Sequence, residues 1–298
     1  MNSKYYLAVI TTFVIYGLFS LPLKAIDKYS SLDILLYRLM MACIVILLIS
    51  FVFRQKITLK NAIKFKKLPN NQRRKLLIVN IVSSVMLAVN WYLFIYVMNR
   101  VSVNATALAY MLCPIINTFL AYIFLKEKLS QLQWWAIALS SLSCALLGYG
   151  NLGETVYAFS IGLFFAIYLV LQKDNNRLDR FFVLTFQILV ATLMLLPLIY
   201  FMDTTHEKSS YFFGIVLIIA VVFTIIPMFL NIFALNGLSS STAGIFIYLN
   251  PILSFLLAIF YFKEQMSDTK IIAYSIVFFS VLMFNSKLIL QLINKKTA

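Results

Sequence analysis

The chain alternates between long apolar runs and short polar connections. Ten runs are long enough to cross a bilayer, which requires about 20 mostly apolar residues in a helix. Lipid cannot hydrogen-bond to the backbone, and the runs are continuous, so each is predicted to be a helix and not a barrel strand. This pattern predicts an all-α integral membrane protein with ten transmembrane helices. The predicted spans are 5–23, 31–53, 76–98, 103–124, 131–150, 154–172, 181–202, 210–235, 240–262 and 269–290.

Lysine and arginine lie mostly on one side of this predicted membrane. The longest connection, 54–75, holds nine of them, and the connections at Lys126 and 173–180 and the C-terminal tail fall on the same side as Lys4. Cytoplasmic loops carry such an excess of basic residues. Both termini are therefore predicted to be cytoplasmic. The first run is interpreted as a retained helix, because it has no small-residue cleavage site.

Two stretches resemble each other at a fixed offset of 137 positions. The first, 104–127, reads NATALAYMLCPIINTFLAYIFLKE, and the second, 241–264, reads STAGIFIYLNPILSFLLAIFYFKE. The offset aligns their prolines and their terminal Lys-Glu pairs: Pro114 with Pro251, Lys126 with Lys263, and Glu127 with Glu264. Such self-similarity predicts an internal repeat.

The predicted topology makes this repeat an inverted one. Each half contributes five helices, an odd number, so the second half enters the membrane from the opposite face. Inverted repeats recur in secondary transporters, which hold their substrate near the middle of the membrane between the halves. The chain is therefore predicted to form two repeats, 1–150 and 151–298, around a central cavity. Helices 1–4 and 6–9 should surround that cavity.

Composition supports a membrane protein. Hydrophobic residues make up 62% of the chain and charged residues 12%, with a mean hydropathy of +0.93, whereas about a quarter of the residues in soluble domains are charged. The net charge of +15 is carried by short loops between apolar runs, so no nucleic-acid partner is predicted. The cysteines lie in apolar runs without metal-ligand spacing and are interpreted as packing residues; they are Cys43, Cys113 and Cys144.

The segment 90–99, NWYLFIYVMN, and the motifs around it resemble the drug/metabolite transporter superfamily. Within that superfamily the chain is most similar to the EamA-domain family and its RarD-like permeases. The resemblance covers nearly the whole chain and implies ten helices, two EamA repeats, and transport of small metabolites or drugs across the cytoplasmic membrane. The residues that carry it include Tyr16, Gly17, Arg38, Tyr110, Pro114, Asn117, FLKEKL at 124–129, Gln133, Trp134, Lys173, Pro227, Tyr248, Pro251 and Glu264.

The chain departs from this family just before the proline of the fourth helix. Where the family usually has Gly-Tyr-Phe-Ile-Asn-Pro, residues 109–114 read Ala-Tyr-Met-Leu-Cys-Pro. Cys113 thus replaces a polar residue near the expected cavity, whereas the corresponding position of the second repeat keeps Asn250. We expect this asymmetry to influence which substrate the cavity accepts.

Arg38 lies well inside the second predicted span. A charged side chain in the bilayer costs at least about 2.5–3.5 kcal/mol on insertion scales, so Arg38 should face protein or water and have partners. One interpretation is a cavity-facing guanidinium that binds an anionic or carboxylate-bearing substrate. The other is a structural anchor on the carbonyls of a helix break or on Asp33.

Other polar and aromatic residues share faces of predicted spans at helical spacing. Such stripes should point away from lipid, where they form helix–helix hydrogen bonds or line a wet cavity. Helix packing remains the alternative for each asparagine, whereas aromatic residues with polar groups suit mixed apolar and polar ligands. The predicted substrate-cavity residues are Arg38, Asn90, Trp91, Tyr110, Asn117, Asn231, Tyr248 and Asn250.

Three spans carry a proline near their middle, and each proline removes a backbone hydrogen bond. These residues are interpreted as kinks that let a helix end swing or as static bends; they are Pro114, Pro227 and Pro251. All ten carboxylates lie in loops or at helix ends. A conventional proton relay is therefore not predicted, unless Glu127 or Glu264 reaches inward from the repeat ends.

The sequence shows no Ser/His/Asp or His/Glu constellation, so neither an enzyme nor a metal or other cofactor is predicted. It also shows no ring of like charge and no repeated selectivity sequence of the kind found in channels. The prediction is a secondary transporter of a small metabolite, amino-acid-like or drug-like solute in the cytoplasmic membrane of a bacterium. A passive channel and a non-transporting membrane subunit remain the alternatives.

Overall fold

The protein is a bundle of membrane-length helices. The computed structural model describes residues 3–126, 128–173, 177–203, 205, 207–238 and 246–294. Within these ranges the regular structure is helical and no strand occurs, so the predicted all-α class is confirmed. The membrane helices are α1 (Ser3–Lys24), α2 (Ser31–Val52), α3 (Asn70–Arg100), α4 (Val103–Leu125), α5 (Gln131–Tyr149), α6 (Asn151–Gln172), α7 (Arg180–Phe201), α8 (Ser210–Ala234), α9 (Leu249–Tyr261) and α10 (Asp268–Asn294).

Counted over the described ranges, nine of these helices are long and apolar enough to cross a membrane. The shorter one is α9, and the predicted span 240–262 begins on residues outside those ranges. Helices α5 and α6 form one run that kinks at Asn151, where φ is −155° and ψ is 84°. The chain is therefore a multi-pass membrane protein, and the count of ten spans stays a prediction.

Side-chain caps mark the starts of α2, α4, α7 and α8. In each case a side-chain oxygen accepts a hydrogen bond from a backbone N–H two or three residues later. The first N–H groups of a helix have no partner within the helix, so such caps stabilise its first turn. The capping residues are Ser30 before α2, Ser102 before α4, Asp179 before α7 and Ser209 before α8.

The longest connection contains a helix that the sequence analysis did not predict. Gln55–Lys66 forms this loop helix, and α3 then starts at Asn70, earlier than the predicted residue 76. The Asn61 side chain accepts a hydrogen bond from the backbone N–H of Asp179 at 2.9 Å. The loop helix is therefore bonded to the loop before α7.

Helices α1–α4 and α6–α9 form a central bundle, and α5 and α10 pair beside it. Helix α1 packs on α8 and α9, α2 on α7 and α8, α3 on α7, and α4 on α9. Between α5 and α10, the Ser140 and Ser280 hydroxyls lie 2.7 Å apart, and Ser143 donates to the Ala273 carbonyl at 2.7 Å. Small hydroxyl residues allow close, hydrogen-bonded packing within a membrane. The other eight helices, α1–α4 and α6–α9, surround the centre of the bundle.

Two glycines permit close helix contacts across the bundle. A Cβ atom at Gly17 of α1 would lie 2.6 Å from Leu253 Cβ and 3.2 Å from the Asn250 carbonyl oxygen of α9. A Cβ atom at Gly162 of α6 would lie 3.1 Å from Ile116 Cδ1 of α4. Because glycine has no side chain, α1 can approach α9 this closely; any other residue at position 17 would displace Leu253 or the helix.

Gly17→Ala is expected to destabilise the protein, because the new methyl group would overlap Leu253 and push α1 away from α9. Overpacking of this kind typically costs about 1–3 kcal/mol. Gly214→Ala is the matched control, since a Cβ atom there meets nothing within 4 Å and alanine favours a helix. The midpoint of thermal unfolding in detergent should fall for Gly17→Ala only. Equal midpoints would show that the α1–α9 approach does not depend on Gly17.

Candidate functional site

A cavity of about 790 Å³ lies at the centre of the bundle. Its lining comes from α1–α4, from α6–α8 and from the start of α9, and no described residue of α5 or α10 contributes. Small-molecule sites typically enclose about 300–1,000 Å³ and combine apolar walls with a few polar groups. This cavity has both the volume and the mixed lining of such a site.

Arg38 on α2 reaches into the cavity from the interior of the bundle. Its guanidinium carbon lies over two aromatic rings, 4.9 Å from the ring centroid of Phe19 and 4.8 Å from that of Trp91. Its Nε donates to Thr224 Oγ1 at 3.1 Å, whereas the buried Nη1 makes no hydrogen bond. The residue is 3% exposed. Aromatic faces attract a cation but carry no compensating charge.

No carboxylate within the described ranges neutralises Arg38. Asp33, considered above as an anchor, pairs instead with Lys208 at 2.9 Å and accepts the backbone N–H of Asp203 at 3.3 Å. The cavity lining contains two cations, Arg38 and Arg180, and no described aspartate or glutamate. The proposed anchor on Asp33 is therefore wrong, and no acidic residue of the described ranges balances the positive charge of the lining.

A π-helical turn, Val221–Ile225, interrupts α8 just before Pro227 and presents Thr224 to Arg38. The Thr224 hydroxyl donates to the Ile219 carbonyl at 3.0 Å and accepts from Arg38 Nε at 3.1 Å. Proline removes a helix hydrogen bond, and single π turns inside α-helices frequently occur at functional sites. The local break in α8 thus supplies the one hydrogen-bond acceptor that Arg38 uses.

Stacked aromatic rings form a wall beside the guanidinium. Phe19 stacks on Phe94 at 5.7 Å between ring centroids, and on Phe223 at 5.5 Å. Tyr110 meets Phe94 edge-on at 5.3 Å and Phe165 at 5.7 Å. The rings come from α1, α3, α4, α6 and α8, so both halves of the chain contribute. Together they give the cavity an aromatic wall that suits an apolar ring of a ligand.

A series of side-chain hydrogen bonds joins α6, α7 and α3 at the same cavity. The Tyr168 hydroxyl donates to Gln187 Oε1 at 3.4 Å, and Gln187 Nε2 donates to Asn80 Oδ1 at 2.9 Å. Asn80 Nδ2 donates in turn to the Leu76 carbonyl at 2.8 Å. Buried amide groups require such partners. The series therefore holds these three helices at a set separation.

The cavity reaches the surface at the end of the bundle that carries Arg180. From Arg38 the lining continues to Gln172, Arg180 and Asn231, which lie at or near the ends of α6, α7 and α8 on that side. Arg180 is exposed. The loop helix lies at this same end, bonded to the loop that precedes Arg180.

At the opposite end, a carboxylate joins the two halves of the chain. Glu264, just after α9, accepts hydrogen bonds from the backbone N–H groups of Val103 at 2.6 Å and Asn104 at 3.0 Å, at the start of α4. A carboxylate is favoured there because these N–H groups lack helix partners and carry the positive end of the helix dipole. At the same end, Lys270 pairs with Glu154 at 2.7 Å.

Six of the eight predicted cavity residues line the cavity: Arg38, Trp91, Tyr110, Asn117, Asn231 and Asn250. Asn90 and Tyr248 do not. Asn90 is fully buried and donates to the Ile161 carbonyl of α6 at 2.8 Å, which is the helix-packing role. Tyr248 packs against the hydrophobic core beside α9.

The predicted prolines lie within α4, α8 and α9, and they are not part of the cavity lining: Pro114, Pro227 and Pro251. Helix α9 contains a second π-helical turn, Leu257–Tyr261. Of the repeat-end glutamates, Glu264 caps α4, whereas Glu127 lies outside the described residues. Cys113 is buried away from the lining that Asn250 joins.

Most residues of the aromatic wall cannot be recognised from the sequence. Phe19, Phe94 and Phe165 are apolar residues in apolar spans, and no chemical signal separates them from phenylalanines that face lipid. Gln187 is different, because a single amide inside an apolar span indicates an inward-facing position. Arg180 was assigned only to the basic side of the membrane.

Known proteins resemble this chain over most of its length. The sequence profile of the EamA-like transporter family matches residues 3–149 and 153–286. The chain is 26% identical to the uncharacterized transporter YojE of Bacillus subtilis, over 92% of this chain and 90% of that protein. It is 26% identical to protein RarD of Escherichia coli, over 93% and 92% of the two chains. A solved crystal structure superposes with a TM-score of 0.61 at 16% identity, over 95% of this chain and 98% of that one, and this likeness concerns the fold alone.

A multi-pass helical bundle with a central cavity of this size is an arrangement that suits a membrane transporter. The family match covers most of the chain, so the chain belongs to the EamA-like transporter family. This confirms the resemblance to the drug/metabolite transporter superfamily. A small solute and the lipid bilayer are therefore its partners.

Gln187→Leu is expected to lower the free energy of unfolding by about 1–3 kcal/mol, because Asn80 Oδ1 loses a buried donor. Adding Asn80→Leu should destabilise by less than the sum of the two single changes, since the Gln187–Asn80 bond can be lost only once. Thermal-unfolding midpoints of the wild type, both single variants and the double variant measure this coupling. Strictly additive effects would show that the Gln187–Asn80 bond does not stabilise the bundle.

Proposed function

We propose that the protein is a secondary transporter that moves a small metabolite, amino-acid-like or drug-like solute across the cytoplasmic membrane of a bacterium by alternating access. The observation that carries this proposal is a central cavity whose lining reaches one end of the bundle at Arg180, while at the other end Glu264 joins α9 to the start of α4. A carrier needs such a site, exposed to one side at a time, between two moving halves. The bacterial relatives named as transporters support the membrane assignment.

An inverted repeat of residues 1–150 and 151–298 is the architecture that we propose for these halves. The two Lys-Glu motifs support it, because Lys126 and Lys263 adopt the same left-handed backbone, with φ values of 54° and 53°. In the described ranges they are the two non-glycine residues with positive φ. This conformation is unfavourable for lysine and occurs at helix C-termini. Both copies thus end their helix in the same way.

The two glycine contacts between membrane helices described above also support the inverted repeat. Gly17 brings α1 against α9, and Gly162 brings α6 against α4. The partner positions correspond at the offset of 137 seen in the sequence: Leu253 with Ile116, and Asn250 with Cys113. The first helix of each half, α1 or α6, thus contacts the fourth helix of the other half, α9 or α4, at corresponding positions. Two related units with opposite orientations would make such reciprocal contacts.

In this mechanism Glu264 holds the outer end closed. The distribution of basic residues assigns the Arg180 end to the cytoplasm and the Glu264 end to the outside, so the structure corresponds to an inward-facing state. Opening the outer end exchanges the bonds from Val103 and Asn104 for bonds to water. Glu264 lies at a helix end in either state, so its charge need not enter lipid.

The helices that would bend during this exchange contain breaks. Pro227 lies two residues after the end of the π turn of α8, and Pro251 lies in the same helix as the π turn of α9. Sharp bends in helices occur at prolines and π turns. We propose that α8 and α9 bend at these positions while the cavity residues keep their contacts with solute.

A cysteine placed in the cavity tests the open end. In a chain without its native cysteines, Thr118→Cys should react rapidly with a membrane-impermeant thiol reagent in inverted vesicles and slowly in intact cells. Ser140→Cys, buried between α5 and α10, is the control and should react slowly in both. Equal rapid labelling of Thr118→Cys from both sides would favour a passive channel, and faster labelling from outside would overturn the orientation.

Glu264→Gln is expected to open the outer end more often, because it replaces a charge-assisted contact worth about 1.5–3 kcal/mol with a neutral one. Labelling of Thr118→Cys from outside should rise roughly tenfold. Glu207→Gln, an exposed carboxylate at the same end, is the matched control. Unchanged labelling in Glu264→Gln would show that this carboxylate does not keep the outer end closed.

A further inference from the structure

We propose that the transported solute carries an oxyanion, a carboxylate or a phosphate group, which binds Arg38 while a planar apolar part of the solute lies on the aromatic wall. This inference rests on the proposed function and names the substrate class for the same cavity.

The unpaired donor of Arg38 is the first observation that supports an anion. The side chain is 3% exposed, and Nη1 is buried without a hydrogen-bond partner. Leaving a buried donor unpaired costs about 1–3 kcal/mol, and more for a charged group. The contacts with Phe19 and Trp91 do not satisfy an N–H that needs an acceptor. An incoming oxyanion would supply both the acceptor and the missing negative charge.

The geometry of the guanidinium favours an oxyanion over other kinds of anion. Arginine presents a planar fork of donors that matches the paired oxygens of a carboxylate or phosphate. Phe19 and Trp91 already cover the group, and Thr224 occupies Nε. The buried donor that remains unpaired is Nη1, one arm of the fork. A halide would use only part of this arrangement.

The positive charge of the cavity lining also favours an anionic solute. Arg38 lies deep inside and Arg180 at the mouth, and the lining contains no aspartate or glutamate in the described part of the chain. A cleft lined by one sign of charge concentrates ligands of the opposite sign and repels those of its own sign. Three asparagines also line the cavity and can bond to neutral polar groups of the solute: Asn117, Asn231 and Asn250.

The rings next to Arg38 define the rest of the solute. Phe19, Phe94 and Phe223 stack together, and Tyr110 and Phe165 extend the surface. A planar ring held against these faces would lie within reach of Arg38, because Phe19 contacts the guanidinium directly. The volume of about 790 Å³ leaves room for such a compound. The substrate class is therefore a small organic anion with an aromatic or otherwise planar part.

Binding to the wild-type protein tests the charge requirement without any mutation. The full chain in nanodiscs of neutral phosphatidylcholine would be titrated calorimetrically with phenylacetate, phenyl phosphate, phenylacetamide and phenethylamine. These probes share a ring and differ in the charge of the attached group. At least one of the two anions should bind at least about tenfold more tightly than the amide and the amine, and the stronger anion identifies the preferred oxyanion. Equal or tighter binding of the amide or the amine would overturn the proposal.

Variants then assign the effect to Arg38. Arg38→Gln should weaken the preferred anion about 10- to 100-fold and leave phenylacetamide unchanged, whereas Arg38→Lys should recover part of the loss. Arg54→Gln is the matched control, because Arg54 contacts the Phe181 and Phe229 rings at 5.4 and 5.8 Å but does not line the cavity. Unchanged anion binding in a folded Arg38→Gln protein would overturn the role of Arg38. If that variant does not fold, Arg38→Lys and the wild-type probe series decide.

An exchange assay separates this inference from the proposed transport function. Proteoliposomes loaded with radiolabelled phenyl phosphate, whose charge limits passive leakage, would receive each probe on the outside. Release should be stimulated by the external anions and not by phenylacetamide. Equal stimulation by the amide would overturn the anion requirement and leave the transporter intact. Tight anion binding without protein-dependent release would overturn the transport function and leave the binding site intact.

Discussion

A single cation in the interior of a membrane protein determines how the centre of this bundle is built. The insertion cost of a charge at the middle of a bilayer is at least about 2.5–3.5 kcal/mol, so Arg38 must face away from lipid. Two neighbouring helices place the rings of Phe19 and Trp91 against it, and the π turn of α8 supplies Thr224. Helices α1, α2, α3 and α8 thus meet at the Arg38 guanidinium. None of the described residues provides a counter-ion for it.

The two ends of the bundle use charge differently. At the Glu264 end, carboxylates have cationic or helix-terminal partners: Glu264 with the start of α4, Asp33 with Lys208, and Glu154 with Lys270. At the other end, Arg180 continues the positive charge of the cavity to the surface. Negative charge therefore joins helix ends at one side of the bundle, while positive charge extends from the other side to the centre. This division gives the proposed carrier both a closed side and an electrostatic preference for its solute.

The sequence predicts the membrane class well because a bilayer leaves helices as the structure available to continuous apolar runs. It also singles out Arg38, since a charge in such a run needs an explanation. It cannot separate Asn90 from Asn117, because both are amides in apolar helices and only the neighbouring Ile161 carbonyl turns Asn90 into a packing residue. The bond between Glu264 and Val103 joins residues far apart in the chain. Such contacts depend on how the helices pack together, and the residue pattern within a single helix does not determine that packing.

A structure of the full-length protein with bound 4-bromophenylacetate would test the role of Arg38 most directly, because the bromine identifies the orientation of the ring. The carboxylate should lie about 3 Å from the Arg38 fork, with the ring against Phe19. A carboxylate bound elsewhere in the cavity, with Arg38 paired to an acidic residue of the protein itself, would contradict an anion-binding role for this arginine.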